Sequence, residues 1–176
     1  TYPYSTIVTS LATPTSFAIK NNGNNTLSIL VANDNNASHY KVYTSTDGTT
    51  FGAPQTIIKT ALTLSSLPSN QICFVKIAAF NQTNNITSST SELLAAVPCS
   101  WQDSVLVISG FDRASTGNTF DFVIEHGNAI KNAGYNFSSA TNEAVATGLI
   151  NINSYKAVDW ISGKESTANE TFSTTE

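Results

Sequence analysis

Residues 72–97 read ICFVKIAAFNQTNNITSSTSELLAAV, and this stretch decides the fold of the first half of the chain. Its two ends are rich in apolar, β-branched and aromatic residues, which favours strands at 72–80 and 91–97. The ten residues between them, NQTNNITSST, are polar and indicate a turn segment. We therefore predict an antiparallel hairpin centred near residue 86, in a register that pairs residue 73 with residue 99.

The two cysteines of the chain, Cys73 and Cys99, fall at the open end of this predicted hairpin. A cross-strand disulfide is geometrically possible there, and closing a loop of this length would stabilise the fold by roughly 3–4 kcal/mol. The alternative is a pair of free, half-buried thiols. Two cysteines and two distant histidines, without a CxxC pattern, do not favour a metal site. We predict the Cys73–Cys99 disulfide and no metal or other cofactor.

The residues that precede this hairpin also predict strands. In HYKVYTS (39–45), Tyr40 and Val42 alternate with Lys41 and Tyr43, which is the period of a strand with one buried face. Other short segments are rich in β-branched residues and bounded by Asn, Gly, Pro or Ser; they are 15–19, 26–32, 55–59 and 61–65. About seven strands with turn signals every 8–12 residues are typical of a β-sandwich.

Four motifs of this half, TPTSFAI, LSILVAND, SHYKVYTSTDGTTF and LTLSSLPSNQICFVKIAAFN, resemble a fibronectin type III domain. The most specific part is Leu67-Pro68 followed by the strand at 74–81. The resemblance implies an all-β sandwich over residues 1–98. In that family a tyrosine normally occupies the position of Cys73 and makes a corner hydrogen bond, so its loss suggests that a bridge to Cys99 replaces it. No RGD tripeptide is present, so no residue supports a cell-adhesion activity.

The sequence pattern changes after a short junction at 99–102, where we expect Trp101 to pack between the two parts. Residues 104–109 (SVLVIS) are apolar without alternation, as in a strand buried on both faces. The predicted elements are strand 104–109, helix 119–133 (with a possible break at Gly127), strand 135–138, helix 141–148 and strand 156–162. This order predicts the opening half of a doubly wound, flavodoxin-like α/β domain over 103–176.

The end of the chain predicts that this α/β domain is incomplete. Ser173-Thr174-Thr175-Glu176 matches the capping-box pattern that begins a helix. Three strands alone would leave an unpaired sheet edge, and about 75 residues are marginal for a separate core. The sequence also contains no methionine. We therefore expect a fragment of a longer protein, with the remainder of that polypeptide as its first partner.

Only 20 of the 176 residues are charged, 8 Lys and Arg against 12 Asp and Glu, whereas an average soluble domain has about 25%. The net charge of −4 excludes the basic stripe of a nucleic-acid-binding protein. No apolar run reaches the roughly 18 residues of a membrane-spanning helix. Polar but uncharged residues with a cysteine pair indicate an oxidising compartment, so we expect an extracellular or cell-surface location.

The second half has its own distinctive motifs: GFDR (110–113), EHGNAI (125–130), SSATNEAV (138–145) and DWISGKES (159–166). They resemble a domain that follows a fibronectin type III module in large secreted bacterial proteins described as xanthan lyase-like or N-acetylmuramoyl-L-alanine amidase-like. The resemblance implies an exported bacterial protein whose zinc-dependent catalysis lies in a separate upstream module. No residue of this chain matches that module, so the resemblance implies no catalytic residue here.

Ligands of open α/β sheets bind beyond the carboxyl ends of the strands. This rule selects Asp112 and Arg113, Ser138 and Ser139, and Ser162, Lys164 and Glu165, one group after each predicted strand. With His126 of the first predicted helix, Asp112 and Arg113 are weak catalytic candidates, because no GxSxG, GxGxxG or P-loop pattern accompanies them. The structural alternative is a solvated loop, serines that cap the second helix, and a hydrogen-bonded histidine.

These observations predict a non-catalytic accessory, binding or spacer region of a secreted or surface-attached bacterial protein. We expect its partners to be polysaccharide or other cell-envelope components, and neither nucleic acid nor a membrane span. The first alternative is a fragment of a hydrolase whose active site is completed by residues beyond Glu176. The second alternative is a surface adhesin or a component of a filament.

Overall fold

The computed structural model describes residues 9–101, 103–111, 119–163, 172 and 174–175. The first half contains strands only, apart from one 3₁₀ turn. In chain order these strands are β1 (Phe17–Asn21), β2 (Leu27–Val31), β3 (His39–Ser45), β4 (Gln55–Ile58), β5 (Thr63–Leu64), β6 (Cys73–Asn81), β7 (Ile86–Thr87) and β8 (Leu94–Ala96).

The strands of the first half form two antiparallel groups that pack face to face. β1, β2 and β5 are neighbours in one sheet, and β4, β3, β6 and β7 follow one another in the second, where β8 also pairs with β6. The core between them contains Phe17 and Leu27 from the first sheet and Tyr40, Val42 and Ile77 from the second. Burying each such side chain contributes roughly 1.5–3 kcal/mol. The β-sandwich that the sequence predicts for the first half is therefore confirmed.

The hairpin from β6 to β8 has a different register from the predicted one. Its turn lies at residues 82–85 rather than near 86, and Cys73 is opposite Ala96. Ser88 and Ser91 lie in the segment that connects β7 to β8. Their hydroxyls accept hydrogen bonds from the backbone N–H groups of Ala79 and Ile77 of β6, respectively. The β6–β7 pairing of Phe80 with Thr87 would continue to place Cys73 opposite residue 94, and two extra residues between β7 and β8 move its partner to Ala96. The early turn therefore accounts for the difference from residue 99. The predicted pairing of residues 73 and 99 is wrong.

The displaced register separates the two cysteines. Both are buried and free, and no disulfide joins Cys73 to Cys99 in the structure. The Cys99 thiol lies 3.0 Å from the amide nitrogen of Asn21, from which it accepts, and donates to the carbonyl of Trp101 at 3.0 Å. Burial raises the pKa of Cys73 to about 11. Cys73 is therefore a protonated core thiol, and Cys99 belongs to a hydrogen-bonded junction.

The second half follows the predicted order of elements with shifted ends. They are β9 (Val105–Ser109), α1 (Val123–Asn132), β10 (Phe137–Thr141), α2 (Asn142–Ala146) and β11 (Ala157–Ile161). The three strands are parallel, and β9 lies between β10 and β11. α1 continues through Gly127 without the predicted break, because Gly127 is buried in contact with the neighbouring strand. A Cβ atom at this position would lie 2.6 Å from Cζ of Phe137, so only glycine allows the helix to approach.

The sandwich and the parallel strands share one sheet. β1 pairs in the antiparallel direction with β10, with Ala18 opposite Ala140 and Ile19 opposite Ser139. The resulting six-stranded order is β11-β9-β10-β1-β2-β5. Hydrogen bonds therefore connect the two halves directly through their strands, and the chain segment at 99–102 is not their only link.

The two helices lie on opposite faces of this shared sheet. α1 packs through Val123 on the face where Val107 and Phe137 meet Phe74 and Ala95 of the second sandwich sheet. α2 packs on the other face with a separate apolar cluster; its members include Ala18, Leu106, Ile108, Ala140 and Ala144. Trp101 does not pack between the halves as predicted but is exposed. Within the described residues, neither helix has the length and hydrophobicity needed to cross a bilayer.

Candidate functional site

A cavity of about 580 Å³ lies at the carboxyl ends of β9 and β10. Phe111, which follows β9, forms one wall, and Glu143, in the first turn of α2 after β10, forms another. The sandwich closes the cavity with residues 13–15 and 90–93. The position agrees with the rule that sites of α/β sheets form beyond the carboxyl ends of the strands, although here half of the wall comes from the sandwich.

The apolar wall of this cavity is a cluster of aromatic rings. The rings of Phe111 and Phe120 are stacked with centroids 5.2 Å apart, and Phe122 meets Phe111 edge to face at 5.4 Å. The N–H of Leu93 donates to the carbonyl of Phe120 at 3.2 Å, which ties the segment before α1 to the sandwich. These contacts place an aromatic surface beside a polar opening.

The polar wall is predominantly acidic. Glu92, Asp121 and Glu143 line the cavity together with Lys76, and the Lys76 ammonium lies 5.1 Å from the centroid of the Phe51 ring. Among the described residues, no three His, Cys, Asp or Glu side chains come together as a metal site. The hydroxyl of Ser91 donates to the Glu92 carbonyl at 2.8 Å and accepts from the Ile77 N–H at 3.0 Å, so its contacts are structural. The cavity has the chemistry of a binding site with aromatic and carboxylate walls.

Several residues that the sequence predicts at this edge of the sheet are not among the described residues that line the cavity. Asp112, Arg113, Lys164 and Glu165 lie outside the described residues. Phe111, which directly precedes Asp112 in the sequence, lines the cavity, so a pocket lies beside the end of β9. Ser162 follows β11 directly and is half-buried.

Ser138 and Ser139 do not follow the second parallel strand but lie inside it. Ser139 Oγ donates to the Ala95 carbonyl and accepts from the Ala95 N–H at 2.8 Å. Ser138 Oγ accepts from the Asn21 N–H at 2.9 Å. Neither serine caps α2, because the side chain of Thr141 performs that role. The two serines are structural, and they attach β10 to the sandwich.

His126 forms a hydrogen bond whose partner could not be predicted from the sequence pattern. Its Nδ1 atom lies 2.7 Å from Oδ2 of Asp159, so α1 is connected to β11, and about a third of each side chain is exposed. A carboxylate on Nδ1 orients an imidazole for general-base catalysis in several hydrolases. Within the described residues, no side-chain hydroxyl or thiol hydrogen bond reaches His126. Asp159 could have been found from its alternation with Val158 and Trp160, which places it on the face that α1 covers.

A second polar cluster lies at the opposite, amino end of the parallel strands. Asp103, just before β9, is buried, and burial raises the pKa of its carboxyl, opposed by a hydrogen bond from Ser138 and by the charge of Lys20. Burial and the charge of Asp103 together raise the pKa of Tyr155 to about 12. Neither Oδ2 of Asp103 nor the Tyr155 hydroxyl has a protein partner among the described residues within hydrogen-bond distance. The folded chain therefore holds Asp103 more easily as the neutral acid.

We predict that Asp103→Asn raises the melting temperature at pH 7 but not at pH 3. The folded-state pKa of Asp103 lies above the ordinary value of 3.8, so ionisation favours the unfolded chain. The wild type loses stability as the pH rises from the unfolded-state pKa towards the folded-state pKa, and asparagine removes this loss. Calorimetry of both proteins at the two pH values checks the prediction. An equal difference at pH 3 and pH 7 would contradict it.

Similarity to known proteins comes from solved structures that match part of this chain. The chain matches no known sequence family and no curated protein. A Fn3-like protein from Clostridium thermocellum is similar over 49% of this chain and 92% of its own, with 18% identity and a TM-score of 0.41. The fibronectin type III domain of human fibronectin type III domain containing protein 3 is similar over 54% of this chain and 92% of its own, with 20% identity and a TM-score of 0.41.

Proposed function

We propose that this chain is a non-catalytic accessory region, with binding and spacing roles, of a secreted or surface-attached bacterial protein. The observation that supports it most is the pairing of β1 with β10, which joins two different layers into one sheet. A spacer has to keep its two ends in a constant relation, and a shared sheet does so better than a flexible linker. The low charge and the many polar, uncharged residues of the sequence agree with an extracellular location.

The parallel strands belong to this proposal as the first part of an incomplete α/β domain over residues 103–176. Their order, β10-β9-β11, is that of the first three strands of a flavodoxin-like sheet. Helices on both faces and a β11 edge that pairs only with β9 among the described strands also support it. We infer that the remainder of the parent polypeptide adds the next strand beside β11.

The rival proposal is a hydrolase fragment, and two observations favour it. The His126–Asp159 pair has the geometry of an oriented general base, and the aromatic and acidic cavity lies where α/β sheets bind their ligands. In this proposal, residues outside the chain would supply the nucleophile. The accessory role remains our conclusion because the described residues supply no nucleophile: no hydroxyl or thiol among them is hydrogen-bonded to His126, and the serines of β10 hold the shared sheet together.

The two proposals differ in an assay of the longer parent polypeptide on insoluble peptidoglycan and on acidic polysaccharides, because the rival proposal places the nucleophile outside this chain. We expect the His126→Ala and Asp112→Ala forms of that polypeptide to release reducing ends, unsaturated sugars or amino groups at the wild-type rate, and we expect no release by residues 1–176 alone. The pair is expected to stabilise α1 only modestly, because partly exposed pairs of polar side chains near the surface contribute about 0–1 kcal/mol. Turnover by the wild type that is lost in His126→Ala or Asp112→Ala would overturn the accessory role.

A further inference from the structure

We propose that the amino end of the parallel strands binds an uncharged pyranose polysaccharide. The site consists of Trp101, Tyr135, Asn25 and Asn70, with the buried Asn136 behind them, and we call it the amino-end face. The inference rests on the proposed binding function and gives it a location and a ligand class. It places the glycan at the end of the sheet opposite the cavity beside Phe111.

Two exposed aromatic rings form the apolar part of the amino-end face. Trp101 is 57% exposed and Tyr135 is 58% exposed. Trp101 precedes β9 and Tyr135 precedes β10, and because these strands are parallel neighbours, both rings lie at the same end of the sheet. Contiguous exposed apolar surface rimmed by polar residues marks interaction sites, whereas single exposed apolar residues are ordinary. Tryptophan and tyrosine are also the residues most enriched among energetically important contacts.

Three asparagines around these rings have their amide groups fixed in one orientation. The Lys131 ammonium donates to Oδ1 of Asn70 at 2.6 Å and to Oδ1 of Asn136 at 2.9 Å. Ser69 Oγ donates to Oδ1 of Asn25 at 2.7 Å. Because their carbonyl oxygens are occupied, the Nδ2 groups of Asn25 and Asn70 are left to donate. Asn136 is buried, and its carbonyl oxygen holds the Lys131 ammonium beside Asn70. The protein thus presents preoriented hydrogen-bond donors.

Backbone contacts join the asparagines to the segment that leads to Trp101. The N–H of Asn70 donates to the carbonyl of Pro98 at 2.7 Å, and the N–H of Asn25 donates to the carbonyl of Cys99 at 3.0 Å. Asn21 Nδ2 donates to the carbonyl of Trp101 at 2.8 Å. The aromatic and amide groups are therefore held on one connected part of the surface.

This combination fits a neutral sugar chain better than a charged one. The C–H-rich face of a pyranose ring packs on the electron-rich face of an aromatic side chain, and its hydroxyl or acetamido oxygens accept from amide donors. Lys131 holds two amide oxygens already, which reduces its availability to a polyanion. Rigid aromatic rings also lose little conformational entropy on binding. We therefore assign the amino-end face to an uncharged glycan with extended, repeated pyranose units.

The test uses cellohexaose and the hexamer of N-acetylglucosamine as probes, with binding to the intact chain measured by calorimetry. We expect at least one hexamer to bind, and Trp101→Ala and Tyr135→Ala each to weaken its binding about tenfold or more. Ile58→Ala is the matched control, since Ile58 is 50% exposed on β4 of the sandwich and lies outside this face. Its affinity should equal that of the wild type, and all variants should keep the wild-type melting temperature.

The outcomes separate the site from the function. Weakening in the two aromatic variants but not in the control supports the amino-end face. Binding that Trp101→Ala and Tyr135→Ala leave unchanged overturns the face, while the accessory function stands. Failure of the wild type to bind either hexamer, or tighter binding of polygalacturonate that Trp101→Ala does not affect, also overturns the face. Release of shorter sugars from a hexamer overturns the non-catalytic function, whatever the variants bind.

Discussion

Alanine in place of Phe137 is expected to lower the free energy of unfolding by about 3–5 kcal/mol, the range for removing a buried phenylalanine ring. The side chain is fully buried, and it packs with Phe74 of the sandwich and with Val107 and Val123 of the second half. It also contacts Gly127, where α1 makes its closest approach. Its loss would leave a cavity where three layers meet, so both halves should lose stability together.

Urea unfolding, followed by tryptophan fluorescence and by far-ultraviolet circular dichroism, measures this change. The two signals should give one shared midpoint in the wild type and one shared, lower midpoint in Phe137→Ala. Tyr135→Ala is the matched control, because this exposed aromatic residue lies two positions away and should change the midpoint little. Two separate transitions, with only the second displaced, would show that the halves fold independently.

Replacement of Ser139 by alanine is expected to lower the free energy of unfolding by roughly 2–4 kcal/mol. The Ser139 hydroxyl serves both the N–H and the carbonyl of Ala95, and Ala95 is fully buried. Alanine cannot replace either bond, and each buried backbone group left without a partner costs about 1–3 kcal/mol. The effect is large for the loss of one oxygen atom because the two backbone groups that lose their partner lie in the buried contact between β8 and β10.

The same urea experiment checks this prediction, with Ser89→Ala as the control. Ser89 is exposed in the segment between β7 and β8, and its hydroxyl makes no hydrogen bond to another described residue. The control should unfold at the wild-type midpoint. A Ser139→Ala midpoint equal to that of the control would mean that water replaces the serine hydroxyl, and that the contact between β8 and β10 does not depend on it.

The elements with clear periodicity were predictable from the sequence. The alternation in 39–45 places Tyr40 and Val42 in the core, and the unbroken apolar run before Ser109 forms a strand buried in a parallel sheet. The register of the β6–β8 hairpin was not predictable, because its turn lies at residues 82–85, near one end of a ten-residue polar segment. In addition, Ser88 and Ser91 use side-chain oxygens where a regular ladder uses backbone groups. Composition marks such serines as turn residues and conceals their role in the sheet.

The location of the candidate site was predictable from the sequence, but most of the side chains that line it were not. The end of β9 borders a cavity, as the carboxyl-end rule requires. Ser138 and Ser139 were misplaced because small polar residues usually end strands, whereas here they hydrogen-bond to the sandwich from within β10. Those partners lie more than forty positions away in the chain, and a local pattern contains no information about them. The same holds for the pairing of β1 with β10.

The shared sheet also limits how such a sequence can be rearranged during evolution. A sandwich domain can be exchanged between genes as an independent folding unit when none of its edge strands pairs with another domain. Here, a gene segment ending near residue 98 would encode a sandwich in which Ala18, now fully buried, lies on an open strand beside the missing β10. Successful transfer would have to include both halves or replace the edge, so recombination should move this pair of modules as one unit of inheritance.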